Sequence, residues 1–553
     1  MTALTRSFRS LFLRWFPTHW ALWAVLTLGL ALKGIILASG AVSFNSDEAV
    51  VALMARHILE GKWTFFFYGQ RYMGSLDALL IAGAFAFLGP SVGAVRLVQV
   101  GLFTGVLLTT YGLAWHFYRD RFVATTAALL VALPPVLFTL YTTATLGGYG
   151  EALLFGNGLL WAGHRLSREG RLTDRPAFLL GVWAGLAFWA FGLVVVYLVP
   201  LFAFLLLRSS SETPPYRRWR PFRPPRYVLL LALGLLVGAT PWWLGNLSDL
   251  SAGVAQSLGA NIAGTLPTPG QGLIGYGIAV LRRLFNFVVL GLPALFGLRP
   301  PWAVEWNALP LAPLALALYL GGLLHGLRRG PADVRFLLGG IWLTLLAGFV
   351  LTPFGNDPSG RYFLPLYIPL VLFTGHLLGE LRARWGNGVA WGLLAGLLLF
   401  NVVGNLRAVL RQPPGITTQF DLISHLPHEY DEPLMAFLRT HNGTRGYSNY
   451  WVSFRLAFLS DEEIILTARL PYKATLSYTP LDNRYPLYDA MVAASPTVVY
   501  VTSNLPALDD LLRQRFRAVG VTWREHQIGP YRIFYDLSRR VSPEDLDLDR
   551  FLP

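Results

Sequence analysis

Apolar runs of about 20 residues recur through the first three quarters of this chain, and most of them end at a cluster of arginines. A helix needs about 20 such residues to cross the hydrocarbon core of a bilayer. The clusters are Arg6/Arg9/Arg14, Arg119/Arg121, Arg165/Arg168/Arg171/Arg175, Arg208 with Arg217, Arg218, Arg220, Arg223 and Arg226, Arg328/Arg329/Arg335, and Arg382/Arg384. Short arginine-rich loops stay in the cytoplasm, so the apolar length between neighbouring clusters must go out and come back. The pattern predicts a polytopic α-helical membrane protein with about eleven spans, near 19–41, 92–116, 121–140, 150–166, 177–190, 191–207, 227–246, 308–327, 336–352, 363–381 and 388–410. It places the N-terminus inside and residues after 411 outside. The Leu-rich start lacks a small-residue cleavage site and is long enough to remain as a span.

Composition agrees. Charged residues make up 14% of the chain, against about 25% in soluble domains. There is no cysteine, which excludes disulfides, thiolate metal sites and a cysteine nucleophile. The net charge of +14 is unevenly spread. Residues 412–553 hold 14 basic and 17 acidic residues, so the whole excess belongs to residues 1–411. That distribution reads as topology and lipid contact, not as a nucleic-acid groove.

Two domains are expected: a membrane domain over 1–411, with outer loops 42–91 and 247–307, and an extracytoplasmic α/β domain over 412–553. The first loop carries helical patterns at 47–60 and 74–88, the second too short to cross and placed flat or re-entrant at the interface. The second loop is rich in Gly and Pro, with an apolar stretch at 273–298. In the tail, "DEPLMAFLRTH" predicts a helix, "TVVYV" and "YRIFYDL" predict strands, and "LPALDDLLRQRFRAVG" predicts a helix stopped by Gly520. The stretch "ETPPYRRWRPFRPPR" reads as a basic, Pro-rich cytoplasmic linker suited to anionic lipid.

The first outer loop opens on "SFNSDEAVVALMARHILEGKW". Asn45 three residues before Glu48 is a relative of the capping box, and acidic residues in a first turn suit the helix dipole. Position argues for more. The outer side of the membrane domain offers eight acidic residues: Asp47, Glu48, Glu60, Asp77, Glu151, Asp249, Glu305 and Asp357. Ionisable groups held near a membrane are functional suspects by default. Behind the pair runs an aromatic-rich stretch carrying Lys62 and Arg71. Carboxylate, cation and aromatic rings together suit a sugar joined to a phosphate. Asn45 and Glu48 can serve the helix start while Asp47 points into a cavity.

"SDEAVVALMARHILEGKW" resembles the first outer-loop motif of the GT-C class of membrane glycosyltransferases, in particular the family of protein O-mannosyltransferases and the lipid A aminoarabinose transferase. "GPSVGAVRLVQVGLFTGVLLTTYGLAWHFYRDR" is similar to that family's second span, and "RYFLPLYIPL" to its late Arg-Tyr-x-x-Pro motif. "YWVSFRLAFLSDEEIIL" resembles a pattern of bacterial members. Where relatives carry a His/Lys-Pro-Pro element, this chain reads "RYMGSLDALL".

The resemblance implies transfer of a sugar from a polyprenyl-phosphate donor to an acceptor hydroxyl of a lipid, glycan or protein outside the cytoplasm. It implies a bacterial plasma membrane, membrane-lipid contact and no nucleotide at the site. The chain correspondingly shows no Walker A loop and no dinucleotide fingerprint. Such chemistry needs a carboxylate to take the acceptor proton and a cation or metal to offset the departing phosphate. Asp47 is the expected base, by resemblance and position, with Glu48 beside it. Glu151, opening the fourth span, is the expected second acidic residue, and Asp77 is the next choice. Asp47, Glu151 and Asp77 are the candidate ligands should a divalent metal take part. Arg361 with Tyr362, then Arg71 and Arg282/Arg283, are the candidates for the donor phosphate, because Arg contacts phosphate in a bidentate way.

Other features carry weaker signals. His57 reads as a packed group more than a ligand, and "HLPHEY" (His425, His428, Glu429) lacks a second metal-binding element. "NGT" at 442–444 matches a glycosylation acceptor, a common chance pattern. The aromatics at 65–68 and Trp242/Trp243 read as an interfacial belt. The alternative function is a transporter or flippase of lipid-linked sugars. Transporters tend to show repeated halves and mid-membrane polar groups. A non-catalytic assembly protein leaves Asp47 and Glu48 as a cap alone.

Overall fold

The computed structural model describes residues 20–211, 226–247, 272–307, 309–419 and 422–548. Arg6, Arg9, Arg14, Asp249 and nearly all of the Pro-rich basic linker lie outside them. The chain divides into two compact units. Within the described residues, the first draws on Met1–Gly40, Gln99–Thr143 and Tyr149–Val409, and the second on Ala41–Val98, Ala144–Gly148 and Leu410–Pro553.

The first unit is helical, as befits a multi-pass membrane protein. Six helices of the described chain are long and apolar enough to cross a bilayer: Trp20–Ala38, Val92–Tyr118, Gly272–Leu295, Ala332–Leu351, Arg361–Trp385 and Asn387–Leu410. A seventh is present if Arg226–Gly238 and Thr240–Leu247, bent by 52° at their junction, count as one span. The remaining expected spans also fold as helices, but they are shorter or more polar. The one expected at 121–140 breaks into Arg121–Ala132 and Val136–Tyr141, because Pro134 and Pro135 supply no amide hydrogen. The stretch 273–298, expected within a loop, forms the long apolar helix Gly272–Leu295. Arg361–Trp385 is buried over most of its length, whereas the other five expose the larger part of theirs.

Glycine sets the closest helix approach in this unit. Asp174–Ala190 carries Gly181 and Gly185, and Arg226–Gly238 carries Gly234 and Gly238. A Cβ on these four would lie 2.1, 2.2, 2.2 and 2.0 Å from the backbone oxygens of Leu231, Leu235, Phe178 and Val182 respectively. These are paired small-xxx-small seams, which let helix backbones touch where lipid offers no hydrophobic drive to associate. Lys33, buried in Trp20–Ala38, is tolerated because its ammonium donates to Thr139 O at 3.1 Å and Thr142 Oγ1 at 2.7 Å.

The second unit joins the first-loop residues to the tail. Helix Ser46–Leu59 is buried along every residue except Asp47 and Leu59, which its run of Ala and Val allows. A short hairpin of β1 (Phe66–Phe67) and β2 (Gln70–Gly74) follows, then helix Leu76–Leu88. The tail forms a mixed five-stranded sheet of β3 (Arg445–Ser448), β4 (Ile465–Ala468), β5 (Val499–Ser503), β6 (Arg524–Ile528) and β7 (Tyr531–Tyr535), in the order β4-β3-β5-β7-β6. β3 pairs parallel with β4 and β5, and β7 pairs antiparallel with β5 and β6. Helices Asp431–Thr440 and Tyr450–Leu459 cover the sheet through Leu434, Leu438, Val452 and Leu456, against Leu466, Val501 and Ile533. The tail helix expected before Gly520 runs Pro506–Ala518, and Gly520 itself has φ +69°.

Candidate functional site

The start of Ser46–Leu59 separates the two acidic residues. Asn45 is the cap, its side chain accepting from the Asp47 amide at 3.1 Å. Neither carboxylate is needed for that role. Glu48 turns inward and is 1% exposed. It accepts from Arg96 at 2.7 Å and from the Thr145 amide at 3.2 Å. Burial pushes its carboxyl up to about 7, with Arg96 and the Thr145 hydrogen bond opposing the rise. Arg96 also donates to Val42 O at 3.1 Å. Thr145 in turn donates its hydroxyl to Asp77, in the first turn of Leu76–Leu88. Gly147 makes this turn possible. Its φ is +78°, and a Cβ there would lie 2.7 Å from Met73 Cε. Glu48 and Asp77 are thus linked through Thr145, and Arg96 holds Glu48 from the other side.

Asp47 stays half-buried. Tyr450 donates its hydroxyl to Asp47 Oδ1 at 2.7 Å, and Thr418 donates its own to Oδ2 at 2.9 Å. Asn45 Nδ2 holds Thr418 Oγ1 at 2.8 Å. Burial, with the Asp47 charge beside it, keeps the Tyr450 hydroxyl protonated well above the usual tyrosine range. Two of the roughly four lone-pair positions of the carboxylate are therefore occupied by fixed donors, and the others remain for a further proton. The Arg484 guanidinium lies 5.6 Å from the centre of the Tyr450 ring. Asp482 stands in the same electrostatic neighbourhood. Burial pushes its carboxyl up to about 6, Arg484 and Lys473 pull it down, and Asp47 adds to the rise.

The same helix is tied to the tail by a second polar set. His57 is buried, with Nδ1 2.8 Å from the Tyr68 hydroxyl and Nε2 3.0 Å from Glu462 Oε1. Arg56 reaches Asp461 at 2.6 Å. Within the tail itself, His428 pairs with Asp431 at 2.9 Å.

In the helical unit, three of the expected phosphate-binding residues meet one short segment. Arg282 and Arg283 donate to Asn356 Oδ1 at 3.0 and 3.4 Å, and Arg361 pairs with Asp357 at 2.6 Å. Arg361 also donates to the Tyr362 hydroxyl at 3.2 Å. Glu151 lies in the first turn of Tyr149–Arg168, 2% exposed. Arg71 is on β2 in the other unit.

Thr418, Tyr450, Asp482, Arg484 and Arg96 escaped the sequence reading. For Tyr450 a signal existed. Asn449 is an N-cap, accepting from Trp451 N at 3.0 Å, so "SNYW" marks a helix start with Tyr450 in its first turn. "PLDNRYP", with Asp482 and Arg484, has no periodicity to read. The carboxylates of Asp47 and Asp77 are of the kind that hold hard divalent cations. Glu48, however, is engaged with Arg96, and Asp77 with Thr145. Among the described residues, the group of three donors within 4.8 Å of one another is His325, His376 and Glu380.

No family model matches the sequence, and no curated protein does. Solved structures match its fold over most of its length. ArnT from Cupriavidus metallidurans bound to undecaprenyl phosphate aligns with TM-score 0.58 at 11% identity, covering 92% of this chain and 97% of that one. The archaeal oligosaccharyltransferase AglB from Archaeoglobus fulgidus, in complex with an inhibitory peptide and a dolichol-phosphate, aligns with TM-score 0.46 at 13% identity, over 88% and 70%. ArnT, an aminoarabinose transferase, and AglB are both GT-C glycosyltransferases. The chain shares the fold of this ArnT structure, in line with the resemblance of its first-loop and late-span motifs.

Proposed function

We propose that this protein is a glycosyltransferase that moves a sugar from a polyprenyl-phosphate donor to an acceptor hydroxyl. The observation that carries the reading is Asp47: a half-buried carboxylate oriented by Tyr450 and Thr418, on the first-loop helix of a GT-C fold. Asp47 takes the proton of the acceptor hydroxyl as its oxygen bonds to the anomeric carbon. The bond from that carbon to the phosphate oxygen breaks, its electron pair stays on that oxygen, and polyprenyl phosphate leaves. Arg361 with Tyr362, Arg282 and Arg283, and Arg71 are the groups proposed to offset the developing phosphate charge. Glu48 and Glu151 are proposed as the further acidic residues, Asp47, Glu151 and Asp77 as the ligands should a divalent metal take part. The polyprenyl-phosphate donor is supported by the undecaprenyl phosphate bound to the ArnT of the same fold. The acceptor is a lipid, glycan or protein, and Thr418, Tyr450, Asp482 and Arg484 support a part for the tail in holding it.

The reading extends to topology. About eleven crossings of the plasma membrane place the N-terminus inside and both the first loop and the 412–553 domain outside. The test is transfer of label from a panel of radiolabelled polyprenyl-phosphate sugars to a membrane extract, by wild type and Asp47→Asn in nanodiscs, with and without EDTA. Label moving with wild type alone establishes the transferase and its donor, and the EDTA arm reads the metal requirement. Saturable donor binding without transfer from any donor points instead to a transporter. Arg361→Lys should raise KM for the donor about tenfold with a smaller change in kcat, because a point charge replaces a bidentate fork.

A further inference from the structure

The helical unit holds a second set of ligand groups that the transfer reaction does not use. Helices Ala312–Arg329 and Leu364–Trp385 approach closely through glycine: a Cβ on Gly322 would lie 2.6 Å from Thr374 Oγ1, and one on Gly326 would lie 2.1 Å from the Phe373 ring. Between these glycines is His325, and across from it are His376 and Glu380, one helical turn apart. Their donor atoms all lie within 4.8 Å of one another. Glu380 offers one oxygen to each imidazole: Oε2 is 3.2 Å from His325 Nε2, and Oε1 is 3.7 Å from His376 Nε2. Yet neither Nε2 makes a hydrogen bond, and both are buried atoms. Near but unaligned donors are what ligands arranged around a third atom look like. The His376 ring is further fixed by stacking on Tyr118, centroids 4.8 Å apart.

We propose that His325, His376 and Glu380 bind a transition-metal dication, with Zn2+ the ion best matched to two imidazoles and one carboxylate. Three protein ligands leave a fourth position, and beside the group is a cavity of about 430 Å³ lined by Arg328, Arg329 and Arg384. Those arginines oppose a bare dication, so the fourth ligand is an anion such as hydroxide or phosphate. The site belongs to the arginine-bearing ends of the two helices and owes nothing to Asp47. The experiment is a Co2+ titration of the full-length protein in detergent, carried on a tag without histidine and first stripped with EDTA. The expected result is the visible absorption of tetrahedral Co2+ rising to about one ion per chain, and its displacement by Zn2+. His325→Gln, His376→Gln and Glu380→Gln should each weaken binding at least tenfold while eluting as wild type does, and His428→Gln should leave it unchanged. Absence of the absorption in wild type overturns the proposal, whatever the variants do. So does an absorption that survives all three substitutions.

Discussion

Tyr450 donates its hydroxyl to Asp47 Oδ1 at 2.7 Å across 403 residues of sequence. One partner opens the first-loop helix and the other opens a helix of the tail. The proposed base is therefore oriented by a segment 403 residues away in the chain.

Removal of either partner should separate chemistry from positioning. Asp47→Asn keeps both hydroxyl contacts in shape but cannot take a proton, so transfer should fall by roughly 10²–10⁴ in kcat with normal elution and donor binding. Tyr450→Phe leaves the carboxylate in place with one fewer anchor. About a tenfold loss in kcat with KM little changed is expected, a typical cost for one charge-assisted hydrogen bond. Steady-state transfer assays read both. Wild-type rates in Asp47→Asn would remove it from the reaction.

Glu48 and Arg96 form a pair almost fully withdrawn from solvent, at 1% and 6% exposure. Truncating one partner of such a pair leaves the other charge buried, at a cost of about 3–5 kcal/mol. Arg96→Ala should therefore lower thermal stability sharply. Glu48→Gln should be milder, because the isosteric amide oxygen can still accept from Arg96 and from the Thr145 amide. Thermal denaturation followed by fluorescence-detected gel filtration distinguishes them, and equal losses would contradict this account of the pair.

The sequence displayed the hydrophobic lengths, the first-loop helix and its acidic pair, because those depend on local periodicity and capping. It did not display Thr418 or Tyr450 as partners of Asp47. Side chains from a Pro-rich loop and from a helix start near residue 450 come to one carboxylate only through the packing of the second unit. Nor did the pattern distinguish a long apolar helix from loop at 272–295, because Gly and Pro at its flanks read as punctuation. The GxxxG pairs at Gly181/Gly185 and Gly234/Gly238 were legible but ambiguous, since Gly is common in membrane helices without marking a seam.

Asp482 gives the second unit a pH dependence of stability. Its carboxyl is pushed up to about 6 from the usual 3.8, chiefly by burial. The folded state then holds the proton more tightly than the unfolded chain. Its contribution is full below about pH 3.8 and is lost as pH rises through about 6, up to about 3 kcal/mol in all. Wild type should lose melting temperature across this window, and Asp482→Asn should lose less. A steeper fall in the variant would reverse the sign and contradict burial as the cause.

The glycine seam offers a test of the helical unit that is independent of the site. At Gly185 and Gly234 a Cβ would lie 2.2 Å from a backbone oxygen of the facing helix. Backbone cannot rotate aside as a side chain can, so the two helices must separate. Overpacking typically costs about 1–3 kcal/mol, and Gly185→Val or Gly234→Val should reach or exceed the upper figure. Gly392→Ala, on Asn387–Leu410 with nothing within 4 Å of the added carbon, is the control and should be neutral or slightly stabilising, since Ala is the better helix former. The fraction of protein that stays monodisperse after heating in detergent reads all three. Seam variants that behave like the Gly392 control would mean that the two helices do not touch as closely as their glycines permit.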